Sequence, residues 1–191
     1  MSAPPIILDA SAAIALIRRE PAWPAIAEVL RASARDAVRL LAPEAFWLEV
    51  VNVLVRRHGL PPSQVVEALR ELDDLGIDSV RIDRPLLLVT IDLQARFGLS
   101  AYDASYLALA ETEDARLLTL DRQLADASGG HAVEIPGMHP RRVSEQQAPY
   151  GEPVDWSRFG PYLARLRAHA HEPDIAARGG DRSLVGAWRP V

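Results

Sequence analysis

The sequence predicts an α/β protein: a mostly parallel sheet of four to five strands with helices on both faces, followed by a C-terminal extension. Over the first 136 residues, short apolar runs of strand length alternate with longer stretches of helical periodicity, the signature of parallel strands joined by crossover helices. From Gly137 the texture changes to GMHPRRVSEQQAPYGEPVD, which is polar and rich in Pro and Gly. A chain of 191 residues has room for one domain with a real core and an appendage. The division predicted is therefore 1–136 for the domain and 137–191 for the extension.

The elements follow in order. The N-terminal MSAPPIILDASAAIALIRRE has no basic leader and meets an Asp inside its apolar part. It reads as a first strand, PIILD (5–9), and a helix at about 12–19, not as a secretory signal. A helix at about 22–35 leads to the strand VRLLA (38–42), then to helices at about 44–58 and 62–75. The second of these opens on Pro-Pro-Ser and stops at Gly76, the expected punctuation at each end. DSVRI (78–82) is the third strand, and helices at about 85–97 and 101–113 follow. Ser100, with an acid three residues on, marks the start of the latter. RLLTLD (116–121), a short helix at 122–127 and HAVEI (131–135) complete the domain. In the extension, PYLARLRAHAH (161–171) has helical spacing, and RGGDRSLVGAWRPV reads as extended chain carrying Arg178, Arg182 and Arg189.

Composition removes several mechanisms. All 21 positive residues are arginine, so neither a P-loop lysine nor a Schiff-base amine is available. There is no cysteine, hence no disulfide framework, thiolate metal site or thiol nucleophile. No GxGxxG is present, which counts against a dinucleotide fold, and no apolar run approaches the roughly 20 residues of a membrane span. A cytoplasmic location with no membrane partner is the expectation. The charge is unevenly spread: residues 1–138 hold 13 Arg against 20 acids, and residues 139–191 hold 8 Arg against 6.

Four acids fall where an α/β sheet binds ligands, outside the carboxyl ends of its strands. Asp9 ends the first, innermost-looking strand and Asp121 ends RLLTLD. Glu49, in FWLEVVNVLV, and Asp103, in LSAYDASYLALA, sit in apolar helices that border the same edge. Each has an ordinary reading. Asp9, with Ser11 as its rival, and Asp121 suit helix caps, Glu49 suits a pair with Arg56 or with an arginine from elsewhere, and Asp103 suits a capping box with Ser100. Together, with no lysine to neutralise them, they are better explained by a hard cation, Mg²⁺ or Mn²⁺, held through carboxylate oxygens and water.

IILDAS (6–11), EVVN (49–52), LSAYDASYLALA (99–110) and LLTLDRQLA (117–125) resemble, in order and spacing, the motifs of the PIN-domain ribonucleases, in particular the toxins of the VapBC type. The resemblance covers about residues 5–136 and implies a PIN-like α/β/α sandwich. It implies an acidic quartet of Asp9, Glu49, Asp103 and Asp121 that is both catalytic and metal-binding, with Ser11, Asn52 and Thr119 as supporting polar groups. Asp9 is expected as the central ligand and Glu49 as either a ligand or the base that holds a metal-bound water. Tyr102 and Tyr106 are expected to serve packing. The implied activity is metal-dependent hydrolysis of RNA by the toxin of a type II toxin–antitoxin system, with a cognate antitoxin and a homodimer as partners. A housekeeping RNA-processing nuclease and a catalytically silent PIN-like binding protein are the alternatives. Composition by itself does not favour nucleic acid, because the net charge of −5 has the wrong sign. Arg18, Arg19, Arg56, Arg57 and Arg122 are the candidates for a guiding rim. The extension departs from the family pattern. Its helix followed by arginine-bearing chain has the layout of an antitoxin's inhibitory segment, and equally of a tail that packs on the body.

Overall fold

In the computed structural model, residues 3–135 are described, and the elements expected in 161–191 lie outside them. The order is β1 (Ile6–Leu8), α1 (Ala10–Ile17), α2 (Trp23–Arg35), β2 (Leu40–Pro43), α3 (Ala45–Arg56), α4 (Pro62–Asp73), β3 (Ile77–Val80), α5 (Arg84–Phe97), α6 (Ala101–Thr112), β4 (Arg116–Leu118) and α7 (Arg122–Ser128). The four strands form one sheet in the order β3-β2-β1-β4, with every pairing parallel. Two helices fill each crossover. The chain moves outward from β1 through β2 to β3 and then returns to the other side of β1, so the strand order reverses at β1. That reversal leaves a crevice outside the carboxyl ends of β1 and β4.

Burial explains why these runs become strands. Ile6, Ile7 and Leu8 are almost fully covered, as are Leu40, Leu41 and Ala42, because helices lie on both faces of the sheet. A strand buried on both faces reads as a continuous apolar run, with no alternation. At the edge, β3 shows Asp78 and Ser79 to solvent. Helix α6 packs against β1, β2 and β4 and pairs with α5, while α1 packs against α2, α3 and α4. The stretch Ala104–Ala110 of α6 is buried on every side, as a central helix requires.

Several boundaries differ from expectation: β3 and β4 end at Val80 and Leu118, so Asp121 lies beyond the strand as the cap of α7, and two further differences matter. The first helix begins at Ala10, not residue 12, so Asp9 lies at the junction of strand and helix and caps the latter. HAVEI does not form a fifth strand. The chain enters it through a 3₁₀ turn at Gly129–His131, and one ring nitrogen of His131 lies 2.8 Å from the Ala115 carbonyl oxygen. Only a single parallel bridge, Leu117 to Ala132, survives, with the Val133 N–H donating to the Leu117 carbonyl.

Candidate active site

The register of β1 on β4 builds the floor of the crevice. Leu8 pairs with Leu118, and the Asp9 N–H donates to the Leu118 carbonyl at 3.1 Å. One residue further along both chains, Asp9 therefore faces Thr119. The Thr119 hydroxyl donates to Asp9 Oδ2 at 2.7 Å and accepts the Asp121 N–H at 2.9 Å. Ser11 contributes its N–H at 3.2 Å and its hydroxyl to the same Asp9 oxygen, and its own Oγ accepts the Leu120 N–H at 2.9 Å. Three donors thus converge on Oδ2. Among the described residues Oδ1 accepts no hydrogen bond, yet no fully buried side-chain oxygen there lacks a partner. Oδ1 consequently keeps its contact with the crevice, although Asp9 as a whole is only 2% exposed.

This web makes a stability prediction. Thr119→Val keeps the shape but removes the hydroxyl that joins β1 to the start of α7, leaving the Asp121 N–H without its acceptor. The expected cost is about 1–3 kcal/mol in urea unfolding. A cost below about 0.5 kcal/mol, typical of an indifferent surface change, would show that this hydroxyl does not hold the two strand ends together.

Asp121 caps α7, its Oδ1 accepting the Leu124 N–H at 2.9 Å. Gly98 ends α5 in the left-handed conformation (φ 65°), which turns the chain sharply enough for Ser100 to cap α6 two residues later. Ser100 Oγ accepts the Asp103 N–H at 3.1 Å and donates to Asp103 Oδ2 at 2.7 Å. The cap places Asp103 in the first turn of α6, where the helix dipole favours a negative charge. Glu49 is set by α3, whose Phe46, Val50 and Leu54 are completely buried. It stands at the border of that face, half-buried, and accepts a hydrogen bond at 2.8 Å from the hydroxyl of Tyr106.

Electrostatics brings all four acids into one field. Burial pushes the Asp9 carboxyl above its ordinary range, the hydrogen bonds from Ser11 and Thr119 offset this in part, and Asp103 adds to the rise. Glu49 is raised to about 7, first by burial, with Asp9, Asp103 and Asp121 pushing the same way against the bond from Tyr106. Burial, and then the charges of Asp9 and Glu49, hold the Tyr106 phenol protonated well beyond its usual range. Among the described residues the ion pairs are Arg31 and Arg35 with Glu28, Arg39 with Asp78 and Arg96 with Asp92, all on the surface. No arginine there neutralises the quartet.

The other expected residues fall as follows. Ser11 and Thr119 touch Asp9 directly. Asn52 is exposed on α3, one turn beyond Glu49, and hydrogen-bonds none of the acids among the described residues. Glu49 bonds to Tyr106 in place of Arg56, so Tyr106 has a polar partner that its apolar neighbourhood concealed. Tyr102 is 58% exposed beside Asp103 and does not serve packing. Arg18, Arg19, Arg56, Arg57 and Arg122 are exposed, with Arg19 over the Trp23 ring at 4.7 Å. A separate cavity of about 560 Å³ lies at the amino ends of β2 and β3, lined by Leu30, Arg39, Leu40, Leu75 and Asp78 among others. None of the four acids lines it, and its position away from the strands' carboxyl ends separates it from the chemistry.

The donor set suits a hard divalent cation: carboxylates in one field, no opposing cation among the described residues, and a buried aspartate with one oxygen free of hydrogen bonds there. The arrangement is open, because among the described residues no three His, Cys, Asp or Glu side chains stand where they could hold a metal ion together. The donor types fit the group, and the four acids share one field without three of them being drawn together around one point.

Comparison with known proteins agrees with this architecture. Residues 6–130 match the PIN domain family. Ribonuclease VapC3 of Pyrobaculum aerophilum is 31% identical over 125 residues, which cover 63% of this chain and 92% of that relative. A crystal structure of a Pyrobaculum aerophilum protein superposes with a TM-score of 0.51 at 26% identity, over 68% of this chain and 83% of the other. A chain of a toxin–antitoxin complex from Klebsiella pneumoniae shares the fold with a TM-score of 0.50 at 17% identity, over 72% and 99% respectively. The chain belongs to the PIN-domain family and is of the VapC type.

Proposed function

We propose that the protein is a Mg²⁺- or Mn²⁺-dependent endoribonuclease, the toxin of a type II toxin–antitoxin system. The observation that carries this reading is that Asp9, Glu49, Asp103 and Asp121 share one electrostatic field at the switch point of the sheet, with no arginine among the described residues paired to them. Asp9, Asp103, Asp121 and Glu49 are the residues that would hold the ion. When bound, it supplies a water of lowered pKa and stabilises charge on the leaving oxygen of a phosphodiester. Asp9 offers its free Oδ1 while Ser11 and Thr119 fix the other oxygen, so the carboxylate cannot turn away. Glu49, half-buried and held by Tyr106, suits either a ligand or a proton acceptor for water. Asn52 lies one turn on along α3, at the rim. RNA as the substrate rests on the 31% identity to a ribonuclease, since the acidic body repels phosphate until a cation neutralises it. An antitoxin partner is suggested by the family and by the complex in which a related fold occurs. A homodimer and a cytoplasmic location accord with the VapC type. No helix among the described residues is long and apolar enough to cross a membrane.

The test is cleavage of RNA by the full chain with Mn²⁺ or Mg²⁺, with and without chelator. Cleavage is expected with the ion and lost on chelation; cleavage that survives chelation overturns the metal mechanism. Residues 137–191 enter the same assay as a proposed inhibitory segment. Deleting 150–191 is expected to raise activity, and unchanged activity and RNA affinity would sink that role.

A further inference from the structure

We propose that Tyr106 is a positioning residue for the reaction: its buried hydroxyl fixes which oxygen of Glu49 faces the crevice. The inference rests on the ribonuclease reading above and assigns a part to a side chain that the acidic quartet leaves out. Tyr106 lies three residues beyond Asp103, on the same side of α6 and one turn deeper. It is fully buried within a helix segment that is covered on every side. A phenol in such a place needs a partner, and it finds Glu49 Oε2 at 2.8 Å. Helix α6 therefore contributes twice to the crevice. Its first turn carries Asp103, and its second turn reaches beneath to hold the carboxylate that α3 supplies.

The consequence for Glu49 is geometric. With Oε2 committed to the phenol, the rotation of the carboxylate is restricted and Oε1 is the oxygen left for a cation or a water. Among the described residues Glu49 has neither an ion pair with an arginine nor a second side-chain hydrogen bond. Removing the hydroxyl frees the carboxylate to turn, although the ring still fills its place in the core. Partners of this kind, which orient a ligand without touching the ion, commonly change metal affinity by about 10–100-fold.

The experiment compares Tyr106→Phe, Glu49→Gln and the double variant in the full chain. Three quantities are read: Mn²⁺ binding by calorimetry without RNA, kcat and KM for RNA cleavage, and folding by circular dichroism. Tyr106→Phe is expected to stay folded and to weaken Mn²⁺ binding about 10-fold or more. It should lower kcat while KM for RNA stays within about two-fold. Because the tyrosine acts through Glu49, the double variant should be no worse than Glu49→Gln alone. If folded Tyr106→Phe matches the parent in Mn²⁺ affinity and kcat, or if the two substitutions are additive, the positioning role is overturned. If the parent itself binds no Mn²⁺ and cleaves no RNA, the ribonuclease reading fails instead. A Tyr106→Phe variant that does not fold leaves Glu49→Ala as the check. That substitution removes the carboxylate and should reproduce the loss of affinity with the tyrosine intact, and unchanged affinity again overturns the role.

Discussion

Asp9→Asn is expected to lower RNA cleavage by more than about 100-fold while leaving the metal-free fold at least as stable as the parent. The two halves follow from one geometry. Three donors, the Ser11 N–H, the Ser11 hydroxyl and the Thr119 hydroxyl, already point at Oδ2. An asparagine satisfies them with its carbonyl oxygen, which forces its amide NH₂ to the Oδ1 side, into the crevice. A donor group then stands where a cation needs an acceptor. Supporting residues around metal ligands alone account for about 10–100-fold, so loss of the central carboxylate should exceed that range. Stability is decided by two opposed effects. Hydrogen bonds to a charged acceptor are roughly twice as strong as those to a neutral one, which favours Asp. Burial penalises the charge, which favours Asn. The Asp9 carboxyl is shifted upward, so burial outweighs the hydrogen bonds, and the neutral amide should be tolerated. Cleavage assays, with thermal unfolding in chelator and in Mn²⁺, check all of this. The parent should be stabilised by Mn²⁺ and the variant should not. A variant that cleaves within a few-fold of the parent removes Asp9 from the centre of the mechanism.

What the sequence disclosed depended on how far apart the interacting residues lie. PIILD was readable as an inner strand because a two-face buried strand has no polar alternation. Asp9 and Asp121 stood out because a charge ending an apolar run is conspicuous in any chain. Their cap and site roles looked like rivals, yet Asp9 caps α1 through Oδ2 alone, so the cap does not exclude the proposed site role. Ser11 looked like a competing cap and instead serves Asp9. The bond between Tyr106 and Glu49 was hidden for a different reason. Its partners are 57 residues apart, and the apolar YLALA run gives no sign that one ring carries a buried donor aimed at another helix. Asn52 shows the converse limit: the resemblance paired it with Glu49 as a supporting group, but only the packing of α3 reveals that its side faces solvent. HAVEI had strand composition, and the Gly-Gly pair before it was the available sign of the turn that takes up its first residue.

The second large effect is a stability profile that runs downward with pH in the metal-free protein. Glu49 is raised from 4.5 to about 7, and Asp9 is raised too. A carboxyl whose folded-state pKa lies above its unfolded value binds more protons when folded. Its stabilising contribution is complete below the unfolded pKa and is lost as pH rises through the folded one. For Glu49 the window is therefore about 4.5 to 7. Among the described residues the groups facing it are Asp9, Asp103, Asp121 and the protonated Tyr106, and no cation there reverses the sign. Allowing for its partial exposure, Glu49 is worth on the order of 1 kcal/mol, or about 2–4 °C in Tm for a chain of this size. In chelator, Tm should thus fall between pH 5 and pH 8. A divalent cation binds the deprotonated carboxylates and releases their protons, so its stabilisation should grow with pH and offset the decline. Glu49→Gln should flatten the metal-free slope by removing the titrating group. A Tm in chelator that stays level or rises from pH 5 to pH 8, or a Glu49→Gln slope equal to the parent's, would show that the cluster does not carry unbalanced charge. On the proposed reading, the charge that destabilises the metal-free crevice is the charge that would draw a cation into it, and the two slopes measure that coupling from opposite sides.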